Sequence, residues 1–289
     1  MTPTLVQAAN AILGEGPMWH ASSQTLFWVD VLGPAVFRHD PSIGQVGAWR
    51  CPDLVACAIP TLGGRVLAAC GKRFMLLDTA NGAMEQWGEV EHDRPDNRVN
   101  EAKVDRRGRV FAGTTRRRSS DAEGALYRLE PGGRITRLAE GFVCVNGMGW
   151  SPDRRTMYVT DSPVRTIWAY EFDDESGDIG ARRVFARLPD DDGMPDGLTV
   201  DTEGGVWSAV WGGGRIVRYA PDGRIASTVA MPVARPSSCA FGGADMTTLY
   251  VTSACTDLPA GQWIAGPLAG GLFAVETGIT GYVDALFAE

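Results

Sequence analysis

The sequence predicts an all-β protein: a six-bladed β-propeller of four-stranded antiparallel blades around a central channel, built as a single domain over residues 1–289. Three observations carry this prediction. Long helical periodicity is scarce, and short apolar runs rich in Val, Tyr, Phe and Trp are bounded instead by Gly, Pro and Asp. A strand, polar turn, strand unit recurs six times, and a third strand follows each copy. An eight-stranded barrel or a sandwich would need no six-fold repeat, whereas a propeller requires one.

The units follow in chain order. Trp19-His20-Ala21 leads into Leu26-Phe27-Trp28-Val29 and then Val36-Phe37-Arg38. The faintest copy is Pro60-Thr61-Leu62-Gly63-Gly64, leading into Val66-Leu67-Ala68-Ala69 and then Phe74-Met75-Leu76-Leu77. Val104-Asp105-Arg106-Arg107-Gly108 precedes Val110 to Thr114 and then Ala125 to Arg128. Trp150-Ser151-Pro152-Asp153 precedes Met157 to Thr160 and then Ile167 to Tyr170. Val200-Asp201-Thr202-Glu203-Gly204 precedes Val206 to Ala209 and then Ile216 to Tyr219. Phe241 to Asp245 precedes Leu249 to Thr252 and then Leu272 to Val275. Fourth, outer strands are weaker, as edges are, and are read at Val46 to Trp49, Ile135 to Leu138 and Val184 to Leu188. The sixth unit has no obvious fourth strand. Thr4-Leu5-Val6-Gln7-Ala8 is expected to supply it and close the ring, with the tail from Tyr282 to Phe287 as the competing candidate.

Composition narrows the partners. The net charge of -8 argues against nucleic acid or an anionic membrane surface as the main partner, since both select basic faces. No run of about 18 apolar residues is present, and Met1 to Gly14 lacks a charged start, so a cytoplasmic protein is expected. Cys51, Cys57, Cys70, Cys144, Cys239 and Cys255 form no C-x-x-C pair, and reduced, mostly buried thiols are expected. His20, His39 and His92 are scattered, which speaks against a histidine-rich metal site.

The repeat serves as a ruler for chemistry. Four positions before the anchors Trp19, Pro60, Val104, Trp150, Val200 and Phe241 stand Glu15, Ala56, Asn100, Asn146, Asp196 and Ser237. First strands line a propeller's channel, so these residues are expected to form a ring at one mouth. Two carboxylates aimed at one axis repel unless a positive charge lies between them. Glu15 and Asp196 with the amide of Asn146 make a hard oxygen donor set for one divalent metal ion. Such a set suits Ca²⁺ foremost, or Mg²⁺ or Mn²⁺, better than a structural zinc; a Zn²⁺ or Fe²⁺ ion stays compatible. Water or substrate would fill the remaining positions. Glycines flank the ligands, as Gly14 and Gly16 around Glu15 and as Gly147 and Gly197 after Asn146 and Asp196, and are expected to let the backbone turn tightly and approach a ligand. Second strands return to the same mouth with Asp30, Thr115, Asp161, Trp211 and Ser253. Asp161 and Trp211 are candidate substrate contacts there, and the alternative places Trp211 in inter-blade packing and Asp161 in a turn. Arg98, two residues before Asn100, would reach a substrate oxygen with its guanidinium.

With these pieces in view, the chain resembles the regucalcin and gluconolactonase family of six-bladed propellers. The matching pieces are Leu13-Gly14-Glu15-Gly16-Pro17, Arg98-Val99-Asn100 with Lys103-Val104-Asp105, Gly124-Ala125-Leu126-Tyr127, Asn146-Gly147, Pro195-Asp196-Gly197, Cys239 to Gly243 and Ala269 to Phe273. They occur in family order along nearly the whole chain. The resemblance implies hydrolysis of a small-molecule sugar lactone to the aldonic acid with one divalent cation. It implies metal ligands at Glu15, Asn146 and Asp196 and substrate contacts at Arg98 and Asn100. Asp196 would also serve as general base for the attacking water, with activation of that water by the metal left open. Two departures stand out. Glu101 replaces an Asp common in the family, and Ser119-Ser120-Asp121-Ala122-Glu123 stands where regucalcin has a substrate-contacting glutamate.

Other chemistries have less support. There is no G-x-S-x-G elbow and no Ser/His pairing. Gly212-Gly213-Gly214 precedes a strand pattern rather than a helix, and Asp190-Asp191-Asp192 lacks EF-hand spacing. The alternatives are a non-catalytic calcium-binding or scaffold propeller, and an esterase or organophosphate hydrolase on the same ring. A monomer or weak homo-oligomer is expected.

Overall fold

The computed structural model describes residues 1–117, 120–256 and 268–289. These residues form six separate four-stranded antiparallel sheets. Blade 1 holds β2 (Gly14–His20), β3 (Thr25–Asp30), β4 (Ala35–Asp40) and β5 (Gly44–Arg50). Blade 2 holds β6 (Val55–Pro60), β7 (Val66–Cys70), β8 (Arg73–Leu77) and β9 (Met84–Glu89). Blade 3 holds β10 (Asn97–Val104), β11 (Val110–Arg116), β12 (Gly124–Leu129) and β13 (Ile135–Phe142). Blade 4 holds β14 (Val145–Trp150), β15 (Thr156–Asp161), β16 (Thr166–Phe172) and β17 (Ile179–Arg187). Blade 5 holds β18 (Met194–Val200), β19 (Val206–Trp211), β20 (Arg215–Tyr219) and β21 (Ile225–Ala230). Blade 6 joins β22 (Pro236–Gly242), β23 (Thr248–Ser253) and β24 (Leu272–Glu276) to β1 (Thr4–Gln7). First strands of successive blades lie side by side from β2 through β6, β10, β14, β18 and β22 back to β2, which closes the ring.

Burial follows the strand order. β3, β6, β7, β12 and β22 are buried along their whole length, while β5, β17 and β21 alternate or face water, as edge strands do. The outer strands are therefore longer than their apolar residues suggest: β17 spans Ile179–Arg187, where the apolar run starts only at Val184. Between the blades, Trp19 stacks on Tyr250 and Trp207 meets Phe241 edge-on. All six cysteines are free thiols. No helix among the described residues is long and apolar enough to cross a membrane.

The N-terminal segment is the closing strand. Thr4 pairs with Ala274 and Leu5 with Phe273. The tail that competed for this place has another task. It crosses the turns that join first to second strands, at the channel end opposite the ring of polar residues. Thr202 N donates to Thr280 O (2.9 Å), and Gly281 N to Met246 O (2.8 Å). Phe287 N donates to Pro60 O (3.1 Å), and Leu62 N to Phe287 O (2.9 Å). Arg106 lies over the Tyr282 ring at 3.6 Å, and Phe287 is fully buried against Trp87. A segment with bonds to turns of blades 2, 5 and 6 works as a strap across the far mouth, which leaves the opposite mouth as the open one.

Candidate functional site

Every first strand carries a register irregularity at the same place in the repeat. The shifts fall between Glu15 and Met18, Val55 and Ala58, Val99 and Glu101, Val145 and Met148, Pro195 and Leu198, and Pro236 and Ser238. Five of the six ring residues sit within these bulges, and Glu15 sits at the edge of its own. A bulge bends the strand and re-aims a side chain that regular pleating would turn into the sheet. The ring is thus built by a backbone device as well as by residue choice.

The ring resolves into unequal parts. Glu15, Asn100, Asn146 and Asp196 line one cavity of about 190 Å³ together with Leu13, Cys144, Ser162, Pro163, Met194 and Trp211. Ala56 offers no polar atom. Ser237 is fully buried, and its hydroxyl is spent on Gly14 O and Thr252 Oγ1. Asn100 Nδ2 donates to Val145 O (3.0 Å), and Asn146 Nδ2 to Ser162 Oγ (3.2 Å), which leaves each amide oxygen available to a ligand.

The electrostatics disfavour two bare, ionised carboxylates at this place. Glu15 and Asp196 are 7% and 5% exposed. Burial, then repulsion from Asp196 and Glu101, pushes the Glu15 carboxyl well above the usual carboxylate range. Burial and then Glu101 do the same to Asp196, against the opposing hydrogen bonds of Gly197 N–H and the Asn146 amide. Asp196 Oδ1 is buried with no hydrogen-bond partner, a state that is costly for a carboxylate. Among the described residues no three His, Cys, Asp or Glu side chains converge to hold a metal. Glu15, Asp196 and the Asn146 amide oxygen are oxygen donors, and such a set fits a hard divalent ion.

A pH-dependent stability follows, with its sign. Unfolded carboxyls lose their protons near pH ~4. The folded chain holds protons on Glu15, Asp196 and Glu101 to higher pH, in Glu101 to about 7 because of burial. In that window the folded state binds more protons than the unfolded one, so stability falls as pH rises. The metal-stripped protein is expected to melt at lower temperature at about pH 8 than at about pH 5, and Ca²⁺ to raise the melting temperature more at the higher pH. A melting temperature indifferent to Ca²⁺, Mn²⁺, Zn²⁺ and Fe²⁺ at both values rules the cation site out.

The remaining predicted residues divide. Trp211 lines the cavity, and the Arg235 guanidinium lies 5.6 Å from its ring centroid. Asp161 does not line it: its carboxylate accepts Cys144 N–H (3.0 Å) and Val143 N–H (3.3 Å). Asp30, at the same repeat position in blade 1, accepts Ile12, Leu13 and Gly33 N–H in the same manner. That repetition in sequence was the available sign that Asp161 anchors a loop. Arg98 lies behind the cavity wall, with Nη1 donating to Val99 O (2.9 Å), beside Cys144 and Glu15. Of the segment 119–123, Ser119 lies outside the described residues.

Among the lining residues not anticipated, two carry polar side chains. Cys144 has its thiol pushed to about 12 by burial, which makes it a poor nucleophile. Ser162, next to Asp161, orients Asn146. The glycines also differ from expectation. Only Gly16 takes a left-handed φ, at 53°. At Gly147 a Cβ would lie 2.3 Å from Leu198 N and 2.5 Å from Asp196 O, and at Gly197 it would lie 2.1 Å from Ser238 Oγ. Their role is close contact between blades, against backbone at Gly147 and against Ser238 at Gly197.

Comparison with known proteins places this geometry. The region described as SMP-30/Gluconolactonase/LRE-like matches residues 13–255. The pentonolactonase XacC of Haloferax volcanii is 36% identical, over 97% of this chain and 96% of that protein. The 6-deoxy-6-sulfogluconolactonase of Pseudomonas putida is 34% identical, over 96% of each. A crystal structure of regucalcin from Agrobacterium tumefaciens, described as a calcium-binding protein, superposes with a TM-score of 0.93 at 28% identity, over 98% of this chain and 96% of that one.

Proposed function

The chain belongs to the SMP-30/gluconolactonase/LRE-like family, and from that premise we propose that it hydrolyses a sugar lactone to the aldonic acid with one divalent cation held by Glu15, Asn146 and Asp196. The observation that carries this reading is the pair of buried, mutually repelling carboxylates, one with an unpartnered oxygen, opening on a cavity of about 190 Å³. Ca²⁺ is the ion the donor set favours. When bound, the ion supplies Lewis acidity toward the lactone carbonyl.

The chain's own groups supply the rest. Asp196 takes a proton from the water that attacks the carbonyl carbon. The ring C–O bond then breaks, and its oxygen leaves as a hydroxyl after taking a proton back from Asp196. The amide oxygen of Asn100 accepts from a sugar hydroxyl. Trp211, Met194, Pro163 and Leu13 give the sugar ring an apolar face to pack on. The small, hydrogen-bonding cavity favours a sugar over the bulkier, less polar substrates of an esterase or organophosphate hydrolase.

The test is a panel of pentono- and hexonolactones given to protein stripped of metal and then supplied with Ca²⁺, Mn²⁺, Zn²⁺ or Fe²⁺, with spontaneous opening subtracted. Turnover is expected only with metal. The description of the Agrobacterium relative favours a second reading, a calcium-binding propeller without catalysis. Ca²⁺ that stabilises the fold while no lactone is hydrolysed under any metal selects that reading.

A further inference from the structure

Two runs that the hydrolytic chemistry leaves unused, Asp190-Asp191-Asp192 and Gly212-Gly213-Gly214, meet at the rim of the open mouth. They flank the last rung of the ladder between β18 and β19, where Met194 pairs with Trp211 and both residues line the cavity. One rung further in, Pro195 pairs with Val210, and the bulge that carries Asp196 begins. Arg215, at the start of β20, ties the two runs together. Its Nη1 donates to Gly213 O (3.2 Å), and its Nη2 lies 2.5 Å from Asp192 Oδ2 and 3.4 Å from Asp192 O. Arg165, from blade 4, holds the other flank. Its Nη1 donates to Gly193 O, and its Nε lies 3.6 Å from Asp190 Oδ1. The loop also rests directly on the cavity wall. Gly193 has a φ of 82°, and a Cβ there would lie 2.6 Å from Trp211 O and 2.9 Å from Gly213 N. Asp191, in the middle of the acidic run, is exposed and has no hydrogen bond or ion pair among the described residues. An isolated surface ion pair does little. Here one guanidinium fork joins two backbone carbonyls and a carboxylate, so it fixes the relative position of two loops.

We propose that Arg215 and Asp192, backed by Arg165, are positioning residues that hold Met194 and Trp211 in place as the wall on which the substrate's sugar ring packs. The inference rests on the lactonase reading and adds to it the device that sets substrate affinity. β18 begins at Met194 and β19 ends at Trp211, and both side chains are only half-buried, so core packing alone does not fix them. Releasing the clamp lets this end rung fray. The bulge at Asp196 stays anchored beyond it, by the pairing of Leu198 with Ser208 and by the close contacts of Gly147 and Gly197. Binding is therefore affected more than chemistry. A contact made equally in the ground state and the transition state raises KM when it is lost and leaves kcat in place.

The experiment measures kcat and KM for wild type, Arg215→Gln, Asp192→Asn, the double variant and Asp191→Asn. Each is loaded with the metal that gives wild type most turnover and assayed on the pentono- or hexonolactone that wild type hydrolyses fastest, with spontaneous opening subtracted. Arg215→Gln and Asp192→Asn are each expected to raise KM by roughly fivefold and to leave kcat within about twofold. The double variant should be no worse than Arg215→Gln, because the two residues act as one unit. Asp191→Asn removes the same charge from the same loop and should match wild type. Metal affinity and melting temperature are measured beside the kinetics and are expected to stay at the wild-type values. A KM that neither variant moves, a KM that Asp191→Asn moves as far, additive effects in the double variant, or a kcat and a metal affinity that fall as KM rises overturn the positioning role while the lactonase reading stands. If wild type hydrolyses no lactone the lactonase reading fails, and calorimetric titration with gluconate then decides the clamp alone. Weaker binding in both Arg215→Gln and Asp192→Asn, with Asp191→Asn unchanged, sustains it, and equal or absent binding overturns it.

Discussion

Asp196→Asn is expected to lower kcat for lactone hydrolysis by roughly 10³-fold, at metal concentrations that saturate the variant. Two functions meet on this side chain. In our reading the carboxylate would both hold the cation and act as base for the attacking water. Glu15→Gln removes the same charge from the donor set and leaves the base in place. The pair of variants therefore separates the functions. Both should need more Ca²⁺, because each deletes one anionic ligand from a buried site. Raising Ca²⁺ should restore much of the activity of Glu15→Gln and little of that of Asp196→Asn. Equal rescue of both would show that Asp196 is a ligand only and that the base lies elsewhere. Thermal melts in Ca²⁺ belong beside the kinetics, since a folded but inactive Asp196→Asn is the informative outcome.

Gly147→Ala is expected to be among the most damaging single-methyl additions in the chain. The new Cβ would lie 2.3 Å from Leu198 N, 2.5 Å from Asp196 O and 2.7 Å from the Gly197 carbonyl carbon. All three are backbone atoms, so no rotamer change relieves the clash. Blades 4 and 5 must move apart, at the point where β14 presents Asn146 and β18 presents Asp196. Overpacking of this kind costs about 3 kcal/mol or more. Each kcal/mol lowers the melting temperature of a domain this large by roughly 2 °C. Stability and Ca²⁺ response should fall together, because one displacement causes both. Gly212→Ala serves as the control for chain entropy and handling, as no atom lies within 4 Å of a Cβ there, although its φ of 76° adds backbone strain of its own. A Gly147→Ala protein that melts and binds Ca²⁺ like wild type would show that the blades are not in contact at this glycine.

Much of the architecture was legible because propeller sequences repeat. Strand, turn and strand recur at a near-constant interval, and the same interval that counts blades also aligns Glu15, Asn100, Asn146 and Asp196 at one level. The closing strand was legible too, since Thr4 to Gln7 carries the only strand pattern near the N-terminus and the sixth unit lacks an edge. Asp161 shows the limit of the method. Its repeat position places it near the mouth, but a repeat position does not say whether a carboxylate turns toward the cavity or back to the two N–H groups it receives.

By itself, then, the sequence determined the blade count, the strand order and the level at which polar residues gather, because these depend on patterns within a few residues of one another. Only the tertiary structure decided which of them share a cavity. The bulge in each first strand is a register difference between two strands and has no fixed residue signature. The role of Gly147 and Gly197 is a distance between blades, and the strap from Thr280 to Phe287 is a set of bonds to turns far away in the chain. Likewise, Arg117 meets Asp53 only when blades 2 and 3 pack together. Local propensity fixes what each segment is, and the close packing of six inner strands around one axis fixes what each side chain faces.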